Sequence, residues 1–165
     1  MADKNYILDE ATTGRKLKRM AYEISENNID EAEIILAGIE ENGVVIAKEI
    51  QKILADITNH KTHLINISLN KRNPTDITLS EKSDFNNKVI IIVDDVANSG
   101  KTLLYALKPF LEFHPKKIQI LVLVERTHKA FSIKPDYVGI SLSTTIQEHI
   151  FVEVKGEKVT GAWME

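Results

Sequence analysis

Apolar positions along this chain follow two rhythms in turn, one of helical spacing and one of strand-like runs. Leu17, Met20, Ala21 and Ile24 share one helical face, which predicts a helix from about Thr12 to Asn27 with Asp9 or Thr12 as its cap. Glu33-Ile34-Ile35-Leu36-Ala37-Gly38 reads as a short buried strand ending in a glycine turn. Val44, Ala47, Ile50, Ile53 and Leu54 then line one face of a second helix. From Thr62 to Ser68, Leu64, Asn66 and Ser68 alternate with His63, Ile65 and Ile67, the pattern of a strand with one partly polar face.

Asn70 to Asn87 is polar and aperiodic, and a loop of that length inside a compact domain is usually functional. A buried strand is predicted at Val89–Val93, then a helix with Leu103, Leu104, Ala106, Leu107, Phe110 and Leu111 crowding its core face. Ile118–Val124 is another continuous apolar strand, Tyr137–Ile140 a shorter one, and residues 149 to 163 read as a hairpin about Lys155-Gly156-Glu157. Strands alternating with helices predict an α/β fold with a mostly parallel central sheet flanked by helices and a small antiparallel addition. No repeat, low-complexity tract or linker interrupts the pattern, so residues 1–165 are expected to form a single domain.

One segment points to chemistry. Val89-Ile90-Ile91-Ile92-Val93 reads as a strand buried on both faces, and Asp94-Asp95 break it at its carboxyl end, where open α/β sheets place their ligands. Val96-Ala97-Asn98-Ser99-Gly100-Lys101-Thr102 follows, a small glycine-containing loop running into a helix. Such a loop turns backbone N–H groups onto a phosphate, and a helix N-terminus adds partial positive charge. Two carboxylates beside an anion cradle suit a sugar phosphate, with hydroxyls and a divalent ion on the acids and phosphate on the loop.

Composition then removes alternatives. Hydrophobic residues make up 43% and charged residues 27%, ordinary for a globular protein. The chain has no cysteine, which excludes disulfides, thiolate metal sites and cysteine nucleophiles. No apolar stretch approaches the roughly 18 residues of a membrane-spanning helix and no signal-peptide pattern is present, so a cytoplasmic protein with no membrane partner is expected. A net charge of -3 and a pI near 6.0 exert no global pull on nucleic acid, and any RNA surface must be a local patch.

The stretch Ile90 to Thr102 resembles the ribose-phosphate motif of type I phosphoribosyltransferases, which bind 5-phosphoribosyl pyrophosphate (PRPP). Ile7-Leu8-Asp9-Glu10, the strand Ile118–Val124 with Glu125-Arg126-Thr127-His128-Lys129, and Lys134-Pro135-Asp136-Tyr137-Val138-Gly139 are similar to the PyrR type, the pyrimidine-operon attenuators that are also uracil phosphoribosyltransferases. The resemblance implies a parallel-sheet core with a flexible loop and a small hood, Mg2+ (magnesium) as cofactor and PRPP as co-substrate. It implies transfer of phosphoribosyl to a pyrimidine, uracil giving UMP, with pyrophosphate leaving. Asp94 and Asp95 would hold the ribose hydroxyls with magnesium nearby, directly or through water. Arg126, which follows the Ile118–Val124 strand at the ligand edge of the sheet, reads as a contact to pyrophosphate or base or, equally, as part of a structural ion pair. Asn98, Ser99, Gly100, Lys101 and Thr102, with Val96 and Ala97, would form the 5′-phosphate loop. Family members commonly form homodimers that build homotetramers.

Two departures qualify this picture. The turn Gly38-Ile39-Glu40-Glu41-Asn42-Gly43 matches the family's pyrophosphate loop in position, yet Glu40 and Glu41 stand where basic residues are usual. Lys71 and Arg72 of the flexible loop lie where the family has a basic residue followed by an acid. Purine-using relatives carry an acid at the Asn98 position, so Asn98 points toward a pyrimidine. Two further readings follow. One is a nucleotide-sensing, RNA-binding regulator, for which the resemblance marks Arg19, His128, Lys129 and Lys134 as the RNA surface. The other is a degenerate homologue that binds nucleotide with little turnover.

Overall fold

The computed structural model describes residues 4–165. Nine strands and three helices follow in the order β1 (Asn5–Leu8), α1 (Glu10–Asn27), β2 (Glu33–Ile39), α2 (Asn42–Ile57), β3 (Lys61–Leu69), β4 (Ile77–Leu79), β5 (Val89–Ala97), α3 (Lys101–Ala106), β6 (Lys117–Arg126), β7 (Tyr137–Leu142), β8 (Ile150–Lys155) and β9 (Lys158–Met164). Six strands form one sheet in the order β4-β3-β2-β5-β6-β7, parallel except for β4. The other three form a separate antiparallel sheet, β1-β9-β8.

The strand order decides where chemistry can sit. After β2 the chain crosses through α2 to β3 on one side, whereas β5 pairs on the other side of β2. The loops leaving β2 and β5 therefore diverge, which opens a crevice at the carboxyl ends of these two strands. Residues 40–43 and 94–102 border that crevice.

Alternate residues of the central strands feed two apolar layers, as a strand period of two requires. Ile34, Leu36, Ile91, Val93, Leu121 and Leu123 pack with α1 and α2, and this layer also takes Leu8, Ile150, Val159 and Ala162 from the small sheet. Ile35, Ala37, Ile90, Ile92, Ile120 and Val122 pack with Leu103, Ala106, Phe110 and Phe85 on the opposite face. The expected mostly parallel sheet flanked by helices is the observed architecture. The small antiparallel sheet is the hood.

Helix α1 begins at Glu10, earlier than periodicity alone places it, because Asp9 Oδ1 accepts the Thr12 N–H at 2.7 Å and caps the first turn. This decides between the two cap candidates in favour of Asp9. Replacing it, Asp9→Ala, is expected to cost about 1 kcal/mol of stability, read from the urea unfolding midpoint.

Three elements differ from expectation. The helix after residue 101 is short: α3 ends at Ala106, and Pro109 falls in a single 3-10 turn over Lys108–Phe110. Leu111, beyond the helix, is exposed, and so is Leu104 within it, although both are expected in its core face. The polar stretch from Asn70 contains β4, which pairs antiparallel with β3 through Ile67–Leu79 and Leu69–Ile77. Strand β1 closes the hood by pairing with β9. Among the described residues no helix is long and apolar enough to cross a membrane.

Candidate active site

Strand β5 carries its two acids to the crevice in unequal surroundings. Asp94 is 1% exposed, and its Oδ1 accepts the Asp95 N–H at 2.9 Å. Burial raises its pKa, the neighbouring Asp95 charge raises it further, and Lys71 only partly opposes them, so the carboxyl is pushed up to about 8. Asp95 is half-buried and held from two sides. Its Oδ1 accepts the Val96 N–H at 2.8 Å, and its Oδ2 accepts from Asn42 Nδ2 at 2.9 Å.

Glycine makes the approach of these elements possible. A Cβ on Gly43 would stand 2.4 Å from the Val93 carbonyl oxygen and 3.1 Å from Asp94 Cα, so α2 starts directly against the acid-bearing end of β5. A Cβ on Gly38 would stand 2.7 Å from Val44 Cα, which lets β2 turn straight into α2. Gly43→Ala is expected to lower stability by about 2 kcal/mol, because the obstruction is backbone and cannot rotate away; chemical denaturation measures it. Asn42 then reaches in two directions, to Asp95 and, at 3.4 Å, to the Val152 carbonyl of hood strand β8. Glu40 and Glu41 are exposed at the crevice mouth, and the Glu40–Glu41 peptide bond is cis.

The loop after Asp95 is fixed from beneath. Gly100 has φ +85, and a side chain there would strike Ile133 Cγ2 at 2.7 Å. The Ser99 carbonyl accepts the Ala130 and Phe131 N–H groups at 3.1 and 3.0 Å, which ties the loop to the segment after β6. Lys71, Asp94–Gly100, Thr102 and Leu103 line a polar cavity of about 80 Å³. Beside it, Glu40, Glu41, Asn42, Lys71 and Asp95 line a second of about 290 Å³. The two share Lys71 and Asp95.

Lys71 is the contact that sequence reasoning could not place. Its ammonium lies 3.4 Å from Asp94 Oδ1 and 3.8 Å from Asp95 Oδ1. Burial disfavours its charge, but the two carboxylates together outweigh that and hold its pKa above the ordinary 10.5. Arg72 stays exposed, with its N–H on Asn70 Oδ1 at 3.0 Å. Lys101 lines neither cavity, and its backbone N–H donates to Ser99 Oγ at 3.2 Å.

Other predicted residues line neither cavity. Arg126 Nη2 donates to the Thr145 carbonyl at 2.6 Å and lines neither cavity, which departs from a contact with pyrophosphate or base. Arg19 donates to the Val138 and Gly139 carbonyls at 2.8 and 3.0 Å and pairs with Glu23, tying α1 to β7. Lys129 pairs with Glu125 at 2.5 Å, both side chains 12% exposed. His128 and Lys134 are exposed. The Asn42 link escaped the sequence because its partners lie 53 and 110 residues away, and no local pattern announces such contacts.

The family described as Phosphoribosyl transferase domain matches residues 5–156 of this sequence. The chain belongs to that family. Within this phosphoribosyltransferase family, it is 36% identical over 164 residues to the bifunctional protein PyrR of Clostridium novyi (strain NT), covering 93% of this chain and 92% of that one. The bifunctional protein PyrR of Streptococcus pneumoniae (strain CGSP14) is 34% identical over 154 residues, 90% of this chain and 88% of that one. Among solved structures, the hypoxanthine phosphoribosyltransferase of Trypanosoma cruzi superposes with a TM-score of 0.80 at 14% identity, over 98% of each chain. A hypoxanthine-guanine phosphoribosyltransferase of Bacillus anthracis gives 0.77 at 19% identity, over 96% of each chain. These two structures share the phosphoribosyltransferase fold, and the PyrR likeness agrees with the resemblance carried by the sequence motifs.

Proposed function

We propose that the protein transfers phosphoribosyl from PRPP to a pyrimidine, uracil giving UMP, in the crevice between β2 and β5. The observation that carries this reading is the pair Asp94 and Asp95 at the switch point of a phosphoribosyltransferase sheet, next to a fixed phosphate-sized loop cavity. In the reaction the base nitrogen bonds to C1′ of the ribose, the C1′–oxygen bond to pyrophosphate breaks, and the base loses its N–H proton. Positive charge builds on the ribose as negative charge builds on the leaving group. The protein's part is to align the two and stabilise that charge. Asp95, held by Val96 and Asn42, presents a fixed carboxylate to the ribose, and Asp94 stands behind it. Backbone groups of Val96–Thr102 receive the 5′-phosphate. The segment carrying Lys71 and Arg72 covers the crevice and excludes water.

The donor set suits magnesium. Among the described residues no group of three or more His, Cys, Asp or Glu side chains could hold a metal. Magnesium keeps several waters and takes only one or two carboxylates plus substrate phosphates, which Asp94 and Asp95 can supply. Asp94 and Asp95 would hold the ion, which would supply positive charge for the leaving pyrophosphate.

The exposed Glu40 and Glu41 favour a second reading, a nucleotide sensor that regulates pyrimidine genes through RNA, or a binding homologue with little turnover. The name of the PyrR relatives, bifunctional, supports a dual role. Of the expected RNA surface, His128 and Lys134 are exposed to a phosphate backbone, Arg19 is exposed but tied to the Val138 and Gly139 carbonyls, and Lys129 is held by Glu125. We take residues 1–165 as one domain acting in the cytoplasm as a homodimer or homotetramer.

A steady-state screen of uracil, orotate, hypoxanthine, guanine, adenine and xanthine with PRPP and magnesium tests the proposal. Uracil-dependent UMP formation is the expected result. UMP binding without nucleotide formation from any base would instead establish the sensor.

A further inference from the structure

We propose that Lys71 is the resident cation of this site, seated where a divalent ion would bridge Asp94 and Asp95, and that such an ion binds only by displacing it. The inference rests on the reading above that the acid pair faces the ribose and its metal. It assigns to this chain a built-in counter-ion and an exchange that precedes productive binding.

Three observations converge on it. The Lys71 ammonium faces both carboxylates at once, at 3.4 and 3.8 Å. Lys71 lines both cavities of the crevice and, among the described residues, is the only basic one lining either. The Asp94 side chain is only 2% exposed, so water does not reach its carboxyl in place of the ammonium.

The carrier of that ammonium can move without disturbing the core. Lys71, Arg72 and Asn73 are exposed, between β3 and β4, and the Asn70 side chain accepts the Arg72 and Asn73 N–H groups to shape the turn. Withdrawal therefore needs rotation about the four bonds of one lysine stem. A withdrawn Lys71 remains beside Glu40, Glu41 and Asn42, whose cavity contains no other basic side chain. One ammonium thus serves two states. It pairs with the Asp95 charge and sits against the Asp94 carboxyl when the site is free of metal, and it meets the anionic leaving group once a divalent ion has taken its place. The acidic turn Glu40-Glu41 then does not leave pyrophosphate without a cation from the protein.

The test uses Mn2+ alone as the probe, with no nucleotide, and reads binding by electron paramagnetic resonance. Lys71→Met is expected to bind Mn2+ about tenfold more tightly than the wild-type protein, because a charge competing for the same carboxylates has gone. Lys71→Arg is expected to bind as weakly as wild type. Adding Asp94→Asn to Lys71→Met is expected to return the affinity to the wild-type level, which locates the ion. Lys71→Gln repeats the measurement if the Met variant folds poorly, with circular dichroism melts as the check. Equal Mn2+ affinity in wild type and both neutral variants overturns the inference, as does affinity that Asp94→Asn leaves untouched. Absence of Mn2+ binding in every neutral variant overturns it too. No turnover enters this measurement, so failure to form UMP would bear on the proposed reaction and not on the exchange.

Discussion

Asp95→Asn is expected to reduce uracil-dependent UMP formation by about 10²- to 10³-fold, the magnitude usual for one preorganised electrostatic group at a reacting centre. The asparagine keeps the size and much of the hydrogen bonding of the carboxylate. One of its two terminal atoms can still accept from Val96 or Asn42, which hold Asp95 at 2.8 and 2.9 Å. What it lacks is the negative charge that opposes positive charge on the ribose, and that charge matters most at the transition state. The loss is therefore expected mainly in kcat, with unfolding midpoints close to wild type. A variant within about threefold of wild-type kcat would show that Asp95 does not face the reacting ribose.

The contrast between Asp94 and Asp95 shows how far the sequence is legible. Their position at the end of an apolar run placed both at the ligand edge, because a strand without polar residues must be covered on both faces. Their difference in burial was invisible, because it depends on Gly43 bringing α2 within contact of Val93 and Asp94. The central strands β2, β5 and β6 and the helices α1 and α2 were readable for the same reason as the acids: each carries a complete apolar period. Strand β1 was not, since Asn5–Leu8 has four residues and its partner β9 lies at the other end of the chain. Strand β4 has three residues, and only pairing with β3 makes it a strand. The overlong helix after Gly100 has a different cause, for Leu107, Phe110 and Leu111 continue the apolar spacing while Pro109 ends the hydrogen-bond ladder.

The basic residues were the least legible part of the site. Arg19 and Arg126 sit at sequence positions that suggest anion binding, but each is consumed by backbone carbonyls of neighbouring elements. Lys71 lies in a stretch with no periodicity at all, yet it is the cation that reaches the acids. A lysine stem spans several ångströms in any direction, so chain position constrains its charge weakly, whereas a carboxylate on a strand end points where the strand points.

Stability is expected to fall between roughly pH 5.5 and 7.5 by up to about 3 kcal/mol through Asp94 alone, and Asp94→Asn is expected to remove that fall. The sign follows from the direction of the shift. Asp94 has an ordinary value of 3.8 and is raised to about 8 in the folded protein. Between those values the native state holds a proton that the unfolded chain has released, so raising the pH favours unfolding by up to ~1.4 kcal/mol per pH unit. The contribution is fully present below the unfolded value, and it is lost as pH rises through about 8. Glu49 is also raised, by burial, and adds to the fall in the same direction, but it is unchanged in Asp94→Asn, so the difference between the two proteins isolates Asp94. Asp9, Glu10, Glu33, Glu125, Glu148 and Glu153 are all shifted downward, so their stabilising contributions are complete before it begins. Urea midpoints of wild type and Asp94→Asn at the two ends of the window supply the comparison, and parallel curves for the two proteins would refute a protonated Asp94. The same proton has a consequence for binding. A ligand that requires the Asp94 carboxylate must expel it, so association near neutral pH releases a proton that calorimetry in buffers of different ionisation enthalpy detects. That release disappears in Asp94→Asn, whereas a proton lost from the base during transfer does not depend on Asp94.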